Sequence, residues 1–196
     1  MDYPAYSEEL FYDRAGNRAR RLVGGEEELY QYDPRNRLMA LTRGGVTAPF
    51  QYDNAGNLLQ DDKARYSYDA FNRTVKVETF DGNVQVNRYD AEGLRHEMEE
   101  NGRLVRFIFH KEEAVPNRFT YYGQQIDPIT QQYYLRTRFY NPVIGRFTQE
   151  DTYRSDGLNL YTYCANNPVF YVDPSGYVAQ NFAPKIMLNS LEWILA

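Results

Sequence analysis

An all-β fold follows from three features of this 196-residue sequence. A Tyr-Asp pair recurs at Tyr12-Asp13, Tyr32-Asp33, Tyr52-Asp53, Tyr68-Asp69 and Tyr89-Asp90. Each copy has Gly or Asn three positions after the Asp: Gly16, Asn36, Gly56, Asn72 and Gly93. The kernels are spaced by 20, 20, 16 and 21 residues, the period of a stacked repeat in which each unit is one supersecondary element. Tyrosine supplies much of the apolar content, 19 Tyr against 11 Phe and 1 Trp, and it favours strands while keeping a polar tip.

Each repeat reads as strand, tight turn, strand. Glu26 to Tyr32 approaches a turn at Pro34-Arg35-Asn36, and the chain leaves through Arg37 to Leu41. An Asp side chain accepts hydrogen bonds from N–H groups two residues on, and Gly or Asn tolerates positive φ, so the kernel suits a hairpin turn. Thr74 to Thr79 alternates, placing Val75, Val77 and Thr79 on one face. Asp81-Gly82-Asn83 is a further turn, after which Val84 and Val86 resume the alternation. Residues 1–114 are therefore read as a strip of five repeats with an open edge that needs a partner or more chain.

Near Val115 the character changes to a dense aromatic block, residues 115–177. It runs through Tyr121-Tyr122-Gly123, Gln132 to Tyr140, Asn141-Pro142, Gly145-Arg146-Phe147, Leu158 to Tyr163, Asn166-Asn167-Pro168 and Asp173-Pro174-Ser175-Gly176-Tyr177. A tail of 19 residues, 178–196, follows. Ala179-Gln180-Asn181 and Pro184 favour no regular element, so this stretch is expected to be loosely held, with one short amphipathic helix between Ile186 and Leu195.

Composition narrows the function classes. Apolar residues make up 42% but mean hydropathy is −0.72, which suits sheets with one apolar face and one wet face. The net charge is −5 with basic residues scattered, which argues against a nucleic-acid partner. Cys164 is the single cysteine, so no intrachain disulfide or multi-cysteine metal site forms; it is read as a small core filler. His96 and His110 stand alone, no calcium loop is present, and no cofactor or metal is expected. Met1 to Leu10 lacks the features of a secretory signal, and no apolar run approaches the roughly 18 residues of a membrane helix. If the chain works outside the cell, something else is expected to carry it there.

The quoted residues resemble the Rhs/YD-repeat family, and the second half resembles its repeat-associated core. The matching motifs are Tyr-x-Gly-Gln-Gln, Tyr-Tyr-Leu-Arg-x-Arg-Phe-Tyr-Asn-Pro, Gly-Arg-Phe, Leu-Asn-Leu-Tyr-x-Tyr, Asn-Asn-Pro and Asp-Pro-Ser-Gly, and the likeness covers roughly residues 10 to 177. The resemblance implies a bacterial protein, made in the cytoplasm and exported as part of a larger system. Its repeats form a curled or spiralling sheet that is part of a hollow shell around a toxic C-terminal effector. The core is then a plug that cuts the chain once, here between Tyr177 and Val178. By the same resemblance, the residues of this single-turnover aspartic autoprotease are Arg138, Asp151 and Asp173, and its partners are the rest of the shell and the enclosed effector. This sequence departs from the family at Asp151-Thr152, where Asp-Pro is common, and at Tyr177, where Leu or Met is usual. The short tail departs too, being too small for a folded effector, so an orphan remnant is a further alternative.

Two carboxylates at close range can share a proton and divide the work of activating water and protonating a leaving nitrogen. Arg138 is the candidate to steady the developing charge. The bland reading makes Asp151 and Asp173 turn residues only. The rival function is a non-catalytic surface repeat protein that binds carbohydrate or a neighbouring cell through its tyrosine-rich face, although tyrosine ladders also form by cross-strand packing.

Overall fold

The computed structural model describes residues 7–107, 124–153 and 157–181, and among these there is no α-helix. Two antiparallel meanders carry the repeats. The first joins β1 (Glu8–Tyr12), β2 (Arg18–Val23), β3 (Glu26–Tyr32), β4 (Leu38–Arg43) and β5 (Val46–Pro49). The second joins β6 (Gln51–Tyr52), β7 (Leu58–Gln60), β8 (Ala64–Tyr68), β9 (Thr74–Thr79), β10 (Val84–Tyr89), β11 (Arg95–Glu100) and β12 (Arg103–Arg106). The strip is thus two sheets rather than one. Pro49 has no N–H to continue a ladder, and Phe50 behind it is 2% exposed, with its ring in the core and its N–H on the Met39 carbonyl at 2.9 Å.

All five kernels make the same turn. The Asp N–H donates to the carbonyl four residues on, and the Asp carbonyl accepts from the Gly or Asn three residues on. Its Oδ1 accepts from the N–H of Asn17, Arg37, Asn57, Arg73 or Leu94 at 2.8–3.0 Å. The third residue has φ between 62° and 87° in every copy, which is why only Gly and Asn occupy it. Ladder register slips by one residue immediately before each kernel Tyr, a bulge that sharpens the local twist. The hydroxyls of Tyr32, Tyr68 and Tyr89 then donate to the carbonyls of Arg18, Leu58 and Thr74 at 2.8–2.9 Å, tying each turn to the repeat before it. Burial pushes the Tyr52 phenol up to about 12, so it stays neutral in this ladder.

The residue after the turn locks it laterally. Asn57 Nδ2 donates to Asp53 Oδ2 at 2.8 Å and to Asn72 Oδ1 of the next kernel at 2.9 Å; Asn17 repeats this with Asp13 and Asn36. At the second and fourth kernels Arg37 and Arg73 pair with Asp33 and Asp69 and place their guanidinium groups over the rings of Tyr52 and Tyr89; the fifth has Leu94 in this place. Burial opposes ionisation of Asp33 and Asp69, but the backbone and guanidinium hydrogen bonds outweigh it and hold both carboxyls below their usual range.

A third sheet is built from β13 (Gln125–Ile126), β14 (Tyr133–Tyr134), β15 (Phe139–Asn141) and β16 (Arg146–Phe147). Its apolar cluster of Leu135, Phe147, Tyr163 and Cys164 is separate from the strip's own; Cys164 is a buried filler there. Ile144 reaches across into the strip's core of Leu38, Leu41, Leu58 and Val77. Polar contacts complete the docking through the third residue of successive kernels. Gly16 carbonyl accepts from Asn166 Nδ2 at 2.8 Å, Asn36 carbonyl from Arg146 Nη2 at 2.5 Å, and Gly56 carbonyl from Tyr161 hydroxyl at 2.8 Å. A Cβ at Gly56 would stand 2.5 Å from Glu150 Oε2 and 2.8 Å from the Tyr161 hydroxyl, so Asn would not fit there.

The stretch after Tyr177 differs from expectation. Gln180–Asn181 forms a strand (β18) paired with Tyr171–Val172 (β17), because the edge of β17 offers backbone partners that outweigh weak local propensity. The amphipathic helix expected between Ile186 and Leu195 lies outside the described residues.

A buried ion pair joins strip and block. Arg95, 1% exposed on β11, meets Asp127 through two nitrogens and two oxygens, each at 2.8 Å. Gln85 Nε2 donates to the same carboxylate at 2.7 Å, and the Tyr134 ring lies 4.4 Å from the guanidinium carbon.

Two outcomes follow. Asn57→Ala removes two partly buried hydrogen bonds and should cost about 1–3 kcal/mol, read as a lower urea midpoint with unchanged slope. Arg95→Ala strands a buried carboxylate and should cost about 3–5 kcal/mol, whereas the double change Arg95→Met with Asp127→Leu should recover most of that loss.

Candidate active site

Three segment ends converge beneath the fourth and fifth kernels. Arg138 immediately precedes β15, Asp151 follows β16 after a short connection, and Asp173 directly follows β17. All three are buried, at 5%, 8% and 1% exposure. Arg138 Nη2 is 2.7 Å from Asp151 Oδ2 and 3.8 Å from Asp173 Oδ2, so both carboxylates face one guanidinium nitrogen. Nη1 donates to the Leu160 carbonyl at 3.1 Å, and that carbonyl also takes the Asp151 N–H at 3.0 Å. The Phe147 ring lies 3.6 Å from the guanidinium carbon and fixes its plane.

Each Asp also shapes its own loop. Asp173 Oδ1 accepts from Ser175 N–H, Ser175 hydroxyl and Gly176 N–H at 3.2, 3.1 and 2.8 Å. This bends Asp173-Pro174-Ser175-Gly176 back toward Arg138, as the Pro and Gly positions allow. Asp151 Oδ1 accepts from Tyr153 N–H at 2.8 Å, so the turn forms with Thr152 in place of the usual Pro. The bland reading of both residues as turn formers is therefore part of the geometry; the other oxygen of each faces the arginine.

The segment leading to Tyr177 is clamped. Arg138 Nε donates to the Gly176 carbonyl in a short hydrogen bond. Thr137 donates to the Ser175 carbonyl from its hydroxyl at 2.7 Å and from its N–H at 3.4 Å. Gly176 has φ +75°, and a Cβ there would stand 2.6 Å from Thr137 Oγ1 and 2.7 Å from the Leu135 carbonyl. Sequence reading missed Thr137 and Ser175: they are 38 residues apart, and a lone threonine or serine in a loop carries no signal of its own.

Tyr177 borders a cleft of about 460 Å³, within the range of ligand-sized pockets. One wall comes from the turns at Phe71 to Arg73 and Asp90 to Gly93, the other from Arg136 to Arg138 and Gln149 to Thr152. Asp151 and Arg138 line it; Asp173 lies behind them. Among the described residues no cluster of His, Cys, Asp or Glu is placed to hold a metal. Among them, too, no helix is long and apolar enough to cross a membrane.

No family model matches the chain. It is 32% identical over 216 residues to the tRNA3(Ser)-specific nuclease WapA of Bacillus spizizenii, covering 87% of this chain and 9% of that protein. It is 32% identical over 130 residues to the toxin subunit YenC1 of Yersinia entomophaga, covering 64% of this chain and 12% of that one. The crystal structure of TcdB2-TccC3 aligns with 86% of this chain and 10% of its own, at 21% identity and a TM-score of 0.34. The chain spans about a tenth of the length of the curated relatives it matches. Its five Tyr-Asp kernels, and the alignment of most of its length with the bacterial nuclease WapA, make it a member of the Rhs/YD-repeat family.

Proposed function

We propose that this chain is the C-terminal module of an Rhs-type toxin-encapsulation protein and that it cuts its own backbone once, between Tyr177 and Val178. The observation that carries the reading is the convergence of Asp151 and Asp173 on one nitrogen of Arg138, whose Nε holds the carbonyl next to the scissile residue. Asp151 borders the cleft and therefore meets water. It takes a proton from that water as the oxygen adds to the Tyr177 carbonyl, then returns it to the Val178 nitrogen as the C–N bond breaks. The products are a Tyr177 carboxylate and a new amine on Val178. Asp173 shapes the turn and sets Arg138, whose charge opposes the negative charge developing on the carbonyl oxygen.

The reading also implies partners. β1, Glu8 to Tyr12, is the exposed outer strand of its sheet, and among the described residues its outer edge pairs with no other strand. An edge of this kind is normally covered in the working protein, which suits a strip that continues into a larger shell enclosing an effector. Delivery out of the cell belongs to that larger assembly.

Purified protein should convert, without added protease, into a fragment whose intact mass ends at Tyr177. Asp151→Asn should abolish the cut, while Asp173→Asn and Arg138→Ala should slow it by roughly 100-fold or more, each with a native β-type circular dichroism spectrum. Full mass after long incubation would remove the catalytic assignment and leave the carbohydrate- or cell-binding repeat protein in its place. Gly176→Ala tests the clamp separately. Its Cβ would collide with Thr137 and with the Leu135 carbonyl, so cleavage should slow at least about tenfold while Asp151 and Arg138 remain paired.

A further inference from the structure

The seam between the first two repeats and the aromatic block brings two arginines together with no carboxylate opposite them among the described residues. Arg146 is 4% exposed. Its guanidinium carbon lies 4.8 Å from the Tyr32 ring and 5.0 Å from the Tyr161 ring, and Nη2 donates to the Asn36 carbonyl. Arg18 enters the same seam from the strip, where Nη1 donates to the Val143 carbonyl at 3.2 Å. Its guanidinium lies against Gly145, which has no Cβ to obstruct it. The Nε atoms of both arginines are buried and have no hydrogen-bond partner. Both residues line one small cavity of about 10 Å³, and no Asp or Glu contributes to its wall. Among the described residues neither arginine has an ion-pair partner.

Two like charges at one seam repel each other; Arg18 is half-buried, and Arg146 is a buried cation without a counter-charge, which is costly. Buried N–H donors left unpaired add to that cost. A cavity of this size has room for one water-sized guest, which excludes phosphate, sulfate and a carboxylate-bearing metabolite. Water would satisfy the donors and leave the charge. We propose that a single monatomic halide, chloride in the cell, binds between Arg18 and Arg146 and is part of what fastens the block to the first two repeats. The anion accepts from both Nε–H groups and cancels one of the two charges.

The test uses the full chain. Thermal unfolding is followed in sodium chloride and in sodium gluconate at equal ionic strength, gluconate being too large for the cavity. With chloride well above its dissociation constant, the midpoint should lie about 3–6 °C higher than in gluconate. Arg18→Met should lose that increment while folding; if it does not fold, Arg18→Gln serves the same purpose. Crystals grown in sodium bromide should give an anomalous peak within hydrogen-bond reach of both Nε atoms. Equal midpoints in the two salts, an undiminished increment in the Arg18 variant, or bromide only at exposed side chains would each overturn the proposal.

Discussion

The structure hangs on one backbone conformation, the left-handed residue three positions after each repeated aspartate. With φ between 62° and 87° that residue closes the turn capped by the Asp, and at the first three kernels its carbonyl accepts a hydrogen bond from the aromatic block. An ordinary L-residue in the same place would be strained and would aim the carbonyl elsewhere. One local constraint therefore sets the hairpin, the stacking of repeats and the surface on which the block docks. At the fourth and fifth kernels the corresponding residues, Asn72 and Gly93, border the cleft instead.

The choice between Gly and Asn is coupled to the neighbour. Where the third residue is Asn, the preceding kernel supplies an Asn whose amide reaches it, as Asn17 does to Asn36 and Asn57 to Asn72. Where it is Gly, at Gly56 and Gly93, the preceding kernel supplies Arg37 or Arg73, which pairs with its own Asp and stacks on the next kernel's Tyr. Length variation obeys a similar rule. The 16-residue spacing arises because the hairpin around Asp61 to Ala64 is two residues shorter on each strand than the one around Gly24-Gly25. Shortening by two keeps every side chain on its own face. The 21-residue spacing places its one extra residue in the turn from Thr79 to Asn83, where the Thr79 hydroxyl takes the place of the kernel carboxylate.

What could be read in the sequence was what is local. The Tyr-Asp kernels announced equivalent turns because Asp and a φ-tolerant residue at fixed spacing have one joint explanation. The far-edge hairpins at Gly24-Gly25, Gly44-Gly45 and Asn101-Gly102 were equally local, with positive φ at both central residues, but they lack the Tyr-Asp label and went unremarked. Arg95 and Asp127 were invisible, since nothing in either neighbourhood distinguishes a buried ion pair from surface charge. The grouping of Arg138, Asp151 and Asp173 came from resemblance, because their spacing alone states no geometry. Proline at 49 could have foretold the break between the two repeat sheets, and the strand at Gln180–Asn181 could not have been foretold, because its partner β17 supplies the reason for it.

On the proposed reading, the chemistry is conditional on folding. Arg138 touches Asp151, Asp173, the Leu160 and Gly176 carbonyls and the Phe147 ring, groups drawn from separate parts of the block. They fall in stretches around 147–151, 160 and 173–176 that are separated in sequence, so a partly folded block has neither the charge arrangement nor the clamped turn. The cleft also needs the fourth and fifth kernels as its opposite wall. A site assembled this way cannot cut its chain before block and strip have met, and the bond it presents lies in its own backbone. Timing and single turnover then follow from the same contacts that build the fold, with no separate regulatory element required.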